Sequence, residues 1–115
     1  MNFQVRLDIA IDEWNSGNVS DEWLFQTLRE DFVDRLGEAE AFTEMEQTVV
    51  KLIDQENEMT ATEVVETLLA LARRSRTSEV PSRLRSLRED LTLQFSRFGA
   101  YAQGKLEELF RHYGL

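Results

Sequence analysis

The chain has 115 residues, no cysteine, one histidine, and 22 acidic against 13 basic side chains, for a formal net charge of −9. That length fits one domain able to bury a core unaided, and missing cysteine excludes disulfides, thiolate zinc sites and cysteine nucleophiles while suiting a reducing cytoplasm. So negative a surface repels nucleic acid and attracts basic proteins.

Residues 1–72 hold 4 basic and 17 acidic side chains, residues 73–115 hold 9 and 5, so the acidity is concentrated early in the chain. Met1 to Ile11 carries Arg6 and Asp8 and no continuous apolar run, so neither a signal peptide nor a membrane span is expected and a cytosolic location is the default. Phe3, Leu7, Ala10, Ile11 and Trp14 share one face, which predicts a first helix from about Phe3 to Asn15. Val5 and Ile9 fall off that stripe, so the helix is either sandwiched between neighbours or meets another chain.

Ser20 is placed to cap a second helix, with Asp21 and Glu22 at the positive end of its dipole and Val19 stapling onto Leu24. Phe25, Leu28, Phe32 and Leu36 form its expected buried stripe, and Gly37 is expected to close it in a left-handed conformation. Trp23 projects almost opposite the stripe. It either lies against a neighbouring helix or the Asn15 to Asn18 loop, or stands out as an aromatic anchor of the kind enriched at interface hot spots.

A third helix is predicted from Glu38 to Gln55, with Phe42, Met45, Val49, Leu52 and Ile53 inward. Glu38, Glu40, Glu44 and Glu46 are assigned to its outward face and are followed by Asp54, Glu56 and Glu58; the run is either a solvated face or one whose mutual repulsion would be relieved by a cationic partner. A capping box, Thr60-Ala61-Thr62-Glu63, predicts the start of a fourth helix, which ends on Arg73, Arg74 and Arg76, where cations suit the dipole. Pro81 then stops it and opens the next. From Leu84 to Tyr113 the apolar residues recur every 3.6 positions on average, which predicts one long straight helix as the spine of the domain. Gly99 and Gly104 lie inside that helix. Gly99 would let a neighbouring helix approach closely, or would mark a kink splitting the spine in two.

Catalytic chemistry finds little support. With His112 as the lone histidine, no carboxylate-histidine metal site can be assembled, and a surface pair with Glu108 is its expected role. No serine has an evident base, adjacent acidic pairs diverge by about 100° on a helix, and there is no glycine-rich phosphate loop. Arg73, Arg74, Arg76, Arg83, Arg85 and Arg88 bracket the turn before the spine. They either neutralise the protein's own glutamates or form a basic patch for phosphate or an acidic partner, and Arg83 and Arg85 sit where the helix dipole disfavours them.

The sequence therefore reads as an all-α single domain over residues 1–115, a compact five-helix bundle or a short stacked array of helical hairpins around a long C-terminal spine. The expected function is noncatalytic, without cofactor or metal. Glu38, Glu40, Glu44 and Glu46, with Trp23, would engage a basic protein surface, most concretely as a bacterial immunity or inhibitor protein whose carboxylates imitate phosphate at a toxin's site. The alternative is a helical regulatory or nucleic-acid-associated protein using the arginine turn; monomer and homodimer both stay open. The Trp14-x-x-Gly17-x-x-Ser20 spacing between the first two helices resembles helical colicin-type immunity proteins over that short link alone, and no motif is diagnostic of a family.

Overall fold

The computed structural model describes residues 2–17 and 22–115, and every regular element among them is helical. Helix α1 (Phe3–Ser16) starts on Asn2, whose side chain accepts a hydrogen bond from the Val5 N–H, and ends at Gly17 in the left-handed region, φ 77°. Helix α2 (Leu24–Thr27) runs into a π-helical segment, Leu28–Val33. There follow α3 (Glu38–Ile53), α4 (Glu58–Ser75), the one-turn α5 (Ser82–Ser86), α6 (Arg88–Phe95) and α7 (Ala100–His112). The expected start signals of the second helix, Val19, Ser20 and Asp21, lie outside the described residues.

Three local expectations are revised. The π-helical turn moves the buried stripe by one residue, so Phe25, Leu28 and Val33 are buried and Phe32 is only partly so. A bond pattern of i to i+5 puts residue 33, not 32, beneath residue 28. Gly37 does not close the second helix; it is extended (φ −72°, ψ 165°) and caps the start of α3, its N–H donating to Glu40 Oε1 at 3.1 Å. Helix α4 begins two residues before the expected capping box. Asn57 is its cap, accepting from the Thr60 N–H at 3.1 Å, and Thr60 is buried with no partner for its hydroxyl.

The expected C-terminal spine is three helices. Leu87 (φ −99°, ψ 7°) turns the chain between α5 and α6, and Ser96 to Gly99 turns it between α6 and α7. Glu58 Oε1 accepts from the Gly99 N–H at 2.5 Å and fixes the second corner, while Phe98 folds back edge-on to Phe95, ring centres 5.1 Å apart. A side chain at Gly99 would meet only ordinary contact with Glu58, and one at Gly104 would meet open space. Close helix approach therefore explains neither glycine. The 3.6-residue period survives both corners because each segment presents the same side to the core; periodicity reports the buried side, not continuity.

The central element is α4. It packs against α1, the π-helical segment, α3 and α7, and ten of its eighteen residues are buried. One hydrophobic cluster draws residues from all seven helices and the π-helical segment. Lys105 on α7 reaches Glu66 of α4 at 3.0 Å and Glu108 at 3.3 Å, and these pairs raise its pKa, against the opposing effect of burial. The molecule measures 37 × 34 × 19 Å, about two helix layers thick.

Candidate functional site

The four glutamates of α3 do not form one face. At about 100° per residue, Glu38 and Glu46 fall on one flank of the helix and Glu40 and Glu44 on the other, roughly 120 to 160° away. Each also has work inside the protein. Glu38 pairs with Arg76 at 3.8 Å, and Glu40 caps its own helix. Glu44 accepts from Gln4 Nε2 of α1 at 2.9 Å, and Glu46 accepts from Ser82 Oγ at 2.9 Å and from the Arg83 N–H at 3.3 Å. The ridge that faces outward between the flanks is Thr43, Gln47 and half-exposed Val50, without charge.

The arginines are likewise dispersed. Arg73, Arg74 and Arg76 close the end of α4 and line a cleft of about 370 Å³ with Arg29, Glu30 and Asp34. Arg74 Nε donates to the Leu36 carbonyl at 2.6 Å. Arg76 takes the left-handed conformation (φ 51°) that usually falls to glycine, and from there reaches Glu38. Arg83 lies 3.9 Å from Glu46, Arg88 sits over the Phe110 ring at 5.9 Å, and Arg85 lines a separate small cleft with Arg88, Glu89 and Asp90.

The end of the bundle where three connections converge carries Trp23, the expected aromatic anchor, but not the four glutamates grouped with it. Asn15 at the end of α1 donates to Gln55 Oε1 at 2.9 Å. Gln94 of α6 is buried and its amide donates to the carbonyls of Leu52 and Gln55, at 3.0 and 2.6 Å. With Glu58 on the Gly99 N–H, these bonds gather the ends of α1, α3 and α6 and the starts of α4 and α7. Among the described residues six large apolar side chains are exposed, and the four most exposed of them belong to this end: Trp23 at 60%, Met59 at 66%, Leu93 at 72% and Tyr101 at 69%, against 41% and 37% for Val5 and Ile9 on α1. The exposure of Val5 and Ile9 removes the sandwiched reading of the first helix.

Trp23 and Met59 line a groove of about 570 Å³ with Trp14, Gly17, Glu22 and Asn57. Trp14 forms its floor, held edge-on against buried Phe25 at 5.3 Å. Leu93 stands beside Ile53, Gln94 and Arg97 on the neighbouring side. Glu22, Asp54, Glu56 and Glu58 are exposed around these residues, against exposed Arg97 in the α6–α7 turn and Lys105, which lies 5.7 Å from the Tyr101 ring and pairs with Glu66 and Glu108.

Among the described residues no cluster of three metal-ligating side chains occurs, and none of their helices is long and apolar enough to cross a membrane. His112 packs edge-on to Tyr113 at 4.8 Å, while Glu108 receives Lys105. Tyr113 is buried, its hydroxyl 3.1 Å from Met45 Sδ, and burial pushes its pKa up to about 12, a hydrogen bond with Ser75 acting in the opposite sense. The fold and surface thus define an all-α protein with an apolar, carboxylate-rimmed end. Compared with protein-family models, curated proteins and solved structures, the chain matches none.

Proposed function

We propose that this is a noncatalytic protein-binding domain for a partner with a basic surface. The observation that carries the reading is the grouping of Trp23, Met59, Leu93 and Tyr101 at one end, among Glu22, Asp54, Glu56 and Glu58. Exposed aromatic and Met side chains suit interface anchors, and the surrounding carboxylates raise the rate of encounter with a cationic surface and select for it. An immunity or inhibitor protein that covers the nucleic-acid-binding face of a toxin, in the cytoplasm of a bacterium, is the concrete form of this reading.

Two charge reversals test it on a partner recovered with the tagged protein. Glu22, Asp54 and Glu56 to lysine is expected to abolish binding, and Glu40 and Glu44 to lysine to weaken it far less, with helix content unchanged by circular dichroism in both. A recovered partner that is acidic, or one that binds both variants as tightly as the parent, overturns the proposal.

A further inference from the structure

The nature of the partner follows from what this end can and cannot recognise. Among the described residues there is no strand, so a partner peptide has no sheet edge to extend, and the remaining secondary-structure mode for an extended apolar site is a helix laid into a groove. The apolar residues are matched to that mode. Met59 and Leu93 are flexible and aliphatic, able to repack around an incoming side chain; Trp23 and Tyr101 supply broad amphipathic surface. Trp14, packed on Phe25, gives the groove a fixed floor. A surface of stacked, exposed aromatic rings would favour a proline-rich ligand, but Trp23 is the single largely exposed ring in this groove among the described residues.

Charge decides the rest. Glu22 lies in the groove, Asp54, Glu56 and Glu58 follow one another through the α3–α4 turn, Arg97 is an exposed cation nearby, and Lys105 beside Tyr101 is neutralised by Glu66 and Glu108. Closure of this end uses amides and carbonyls (Asn15, Gln55, Gln94), and no ion pair among the described residues engages Glu22, Asp54 or Glu56. Glu58 differs, since one of its oxygens holds Gly99. Resting on the protein-binding reading above, we infer that the end bearing Trp23, Met59, Leu93 and Tyr101 docks a cationic amphipathic helix of the partner, apolar side inward and lysines or arginines toward the carboxylates.

A synthetic, tryptophan-free peptide of about four helical turns, with leucines on one stripe and lysines elsewhere, is the test ligand. Calorimetry and the fluorescence of Trp14 and Trp23 follow its binding to the full chain. The controls are the same leucine stripe with glutamates, the lysine peptide with its leucines scattered, and a basic proline-rich peptide. Saturable binding of the striped lysine peptide alone is expected, weakened about tenfold or more by Met59→Ser with Leu93→Ser and Tyr101→Ser, a variant that keeps every charge. Val5→Ser with Ile9→Ser should leave it unchanged.

The inference is overturned if the striped lysine peptide does not bind, if the scattered, glutamate or proline-rich peptide binds as well, or if the two serine variants behave alike. Sedimentation that reveals a dimer lost in the triple variant also overturns it, by making a second copy the occupant. Should the recovered partner bind the triple variant normally yet fail on the lysine reversals, this inference falls and the protein-binding reading stands. Indifference to the triple variant and to both reversals ends both.

Discussion

The two ends of this bundle are closed by different chemistry. At one, neutral amides do the joining: Asn15 reaches Gln55, Gln94 donates to the carbonyls of Leu52 and Gln55, and the carboxylates of the α3–α4 turn are largely left to solvent. At the other, charges do it. Arg74 takes the Leu36 carbonyl, Arg76 pairs with Glu38, and on the adjoining flank Arg83 lies close to Glu46. The arginine-rich end therefore uses charge for contacts within the protein, whereas the amide-closed end presents exposed carboxylates beside exposed apolar side chains.

The sharpest way to break this comparison is at Gln94. Replacing it with leucine leaves the Gln55 carbonyl without its donor, while the Leu52 carbonyl keeps the Gln55 N–H at 3.1 Å, with an expected loss of about 2 kcal/mol in urea unfolding; a loss below about 1 kcal/mol would mean that amides do not hold this end. Next is Tyr113, which joins Met45 on α3 to Ser75 at the arginine-rich end. Its folded pKa lies above the ordinary value of 10.0, near 12, so the folded state keeps a proton that the unfolded chain releases. Its contribution is complete below pH 10 and lost as the pH climbs toward 12, on the order of 2 kcal/mol. Lys105, also shifted upward, acts in the same sense, so the difference between the parent and Tyr113→Phe in thermal melts over that window isolates the tyrosine.

Arg74→Ala should cost about 1.5 kcal/mol by leaving the Leu36 carbonyl without its charged donor, measured the same way. The smallest effect sharpens the contrast most. Leu93→Ser and Tyr101→Ser are expected to change stability by less than about 0.5 kcal/mol, because side chains that serve a partner contribute little to the isolated fold. A larger loss would make them structural.

Much of the helix pattern was legible in the sequence. The faces of α1 and of Leu84 through Tyr113 follow from spacing alone, and Pro81 marks a real boundary. The errors have local physical causes. Gly37 suits a helix end and the Thr60-Ala61-Thr62-Glu63 spacing a helix start, but Gly37 begins a helix because Glu40 reaches back to its N–H, and Thr60 is displaced as cap by Asn57. The π-helical turn at Leu28–Val33 leaves no mark in a pattern read at i to i+4. Glu38, Glu40, Glu44 and Glu46 lie near one another in sequence, although helical geometry alone separates them into two pairs; Trp23 and Leu93 stand off the apolar stripes of their segments in the sequence, whereas Met59 and Tyr101 give no such sign.

Composition and apolar periodicity are properties of the chain, and they determined an acidic, all-helical protein and which side of each segment is buried. The corners at Leu87 and Gly99, the central place of α4 and the convergence of three turns on Gln55 were decided by the tertiary structure. Each depends on a bond between residues some forty positions apart or on packing between helices, and side chains such as Gln94 and Glu58 carry no sign in the sequence of the distant carbonyl or N–H they will meet.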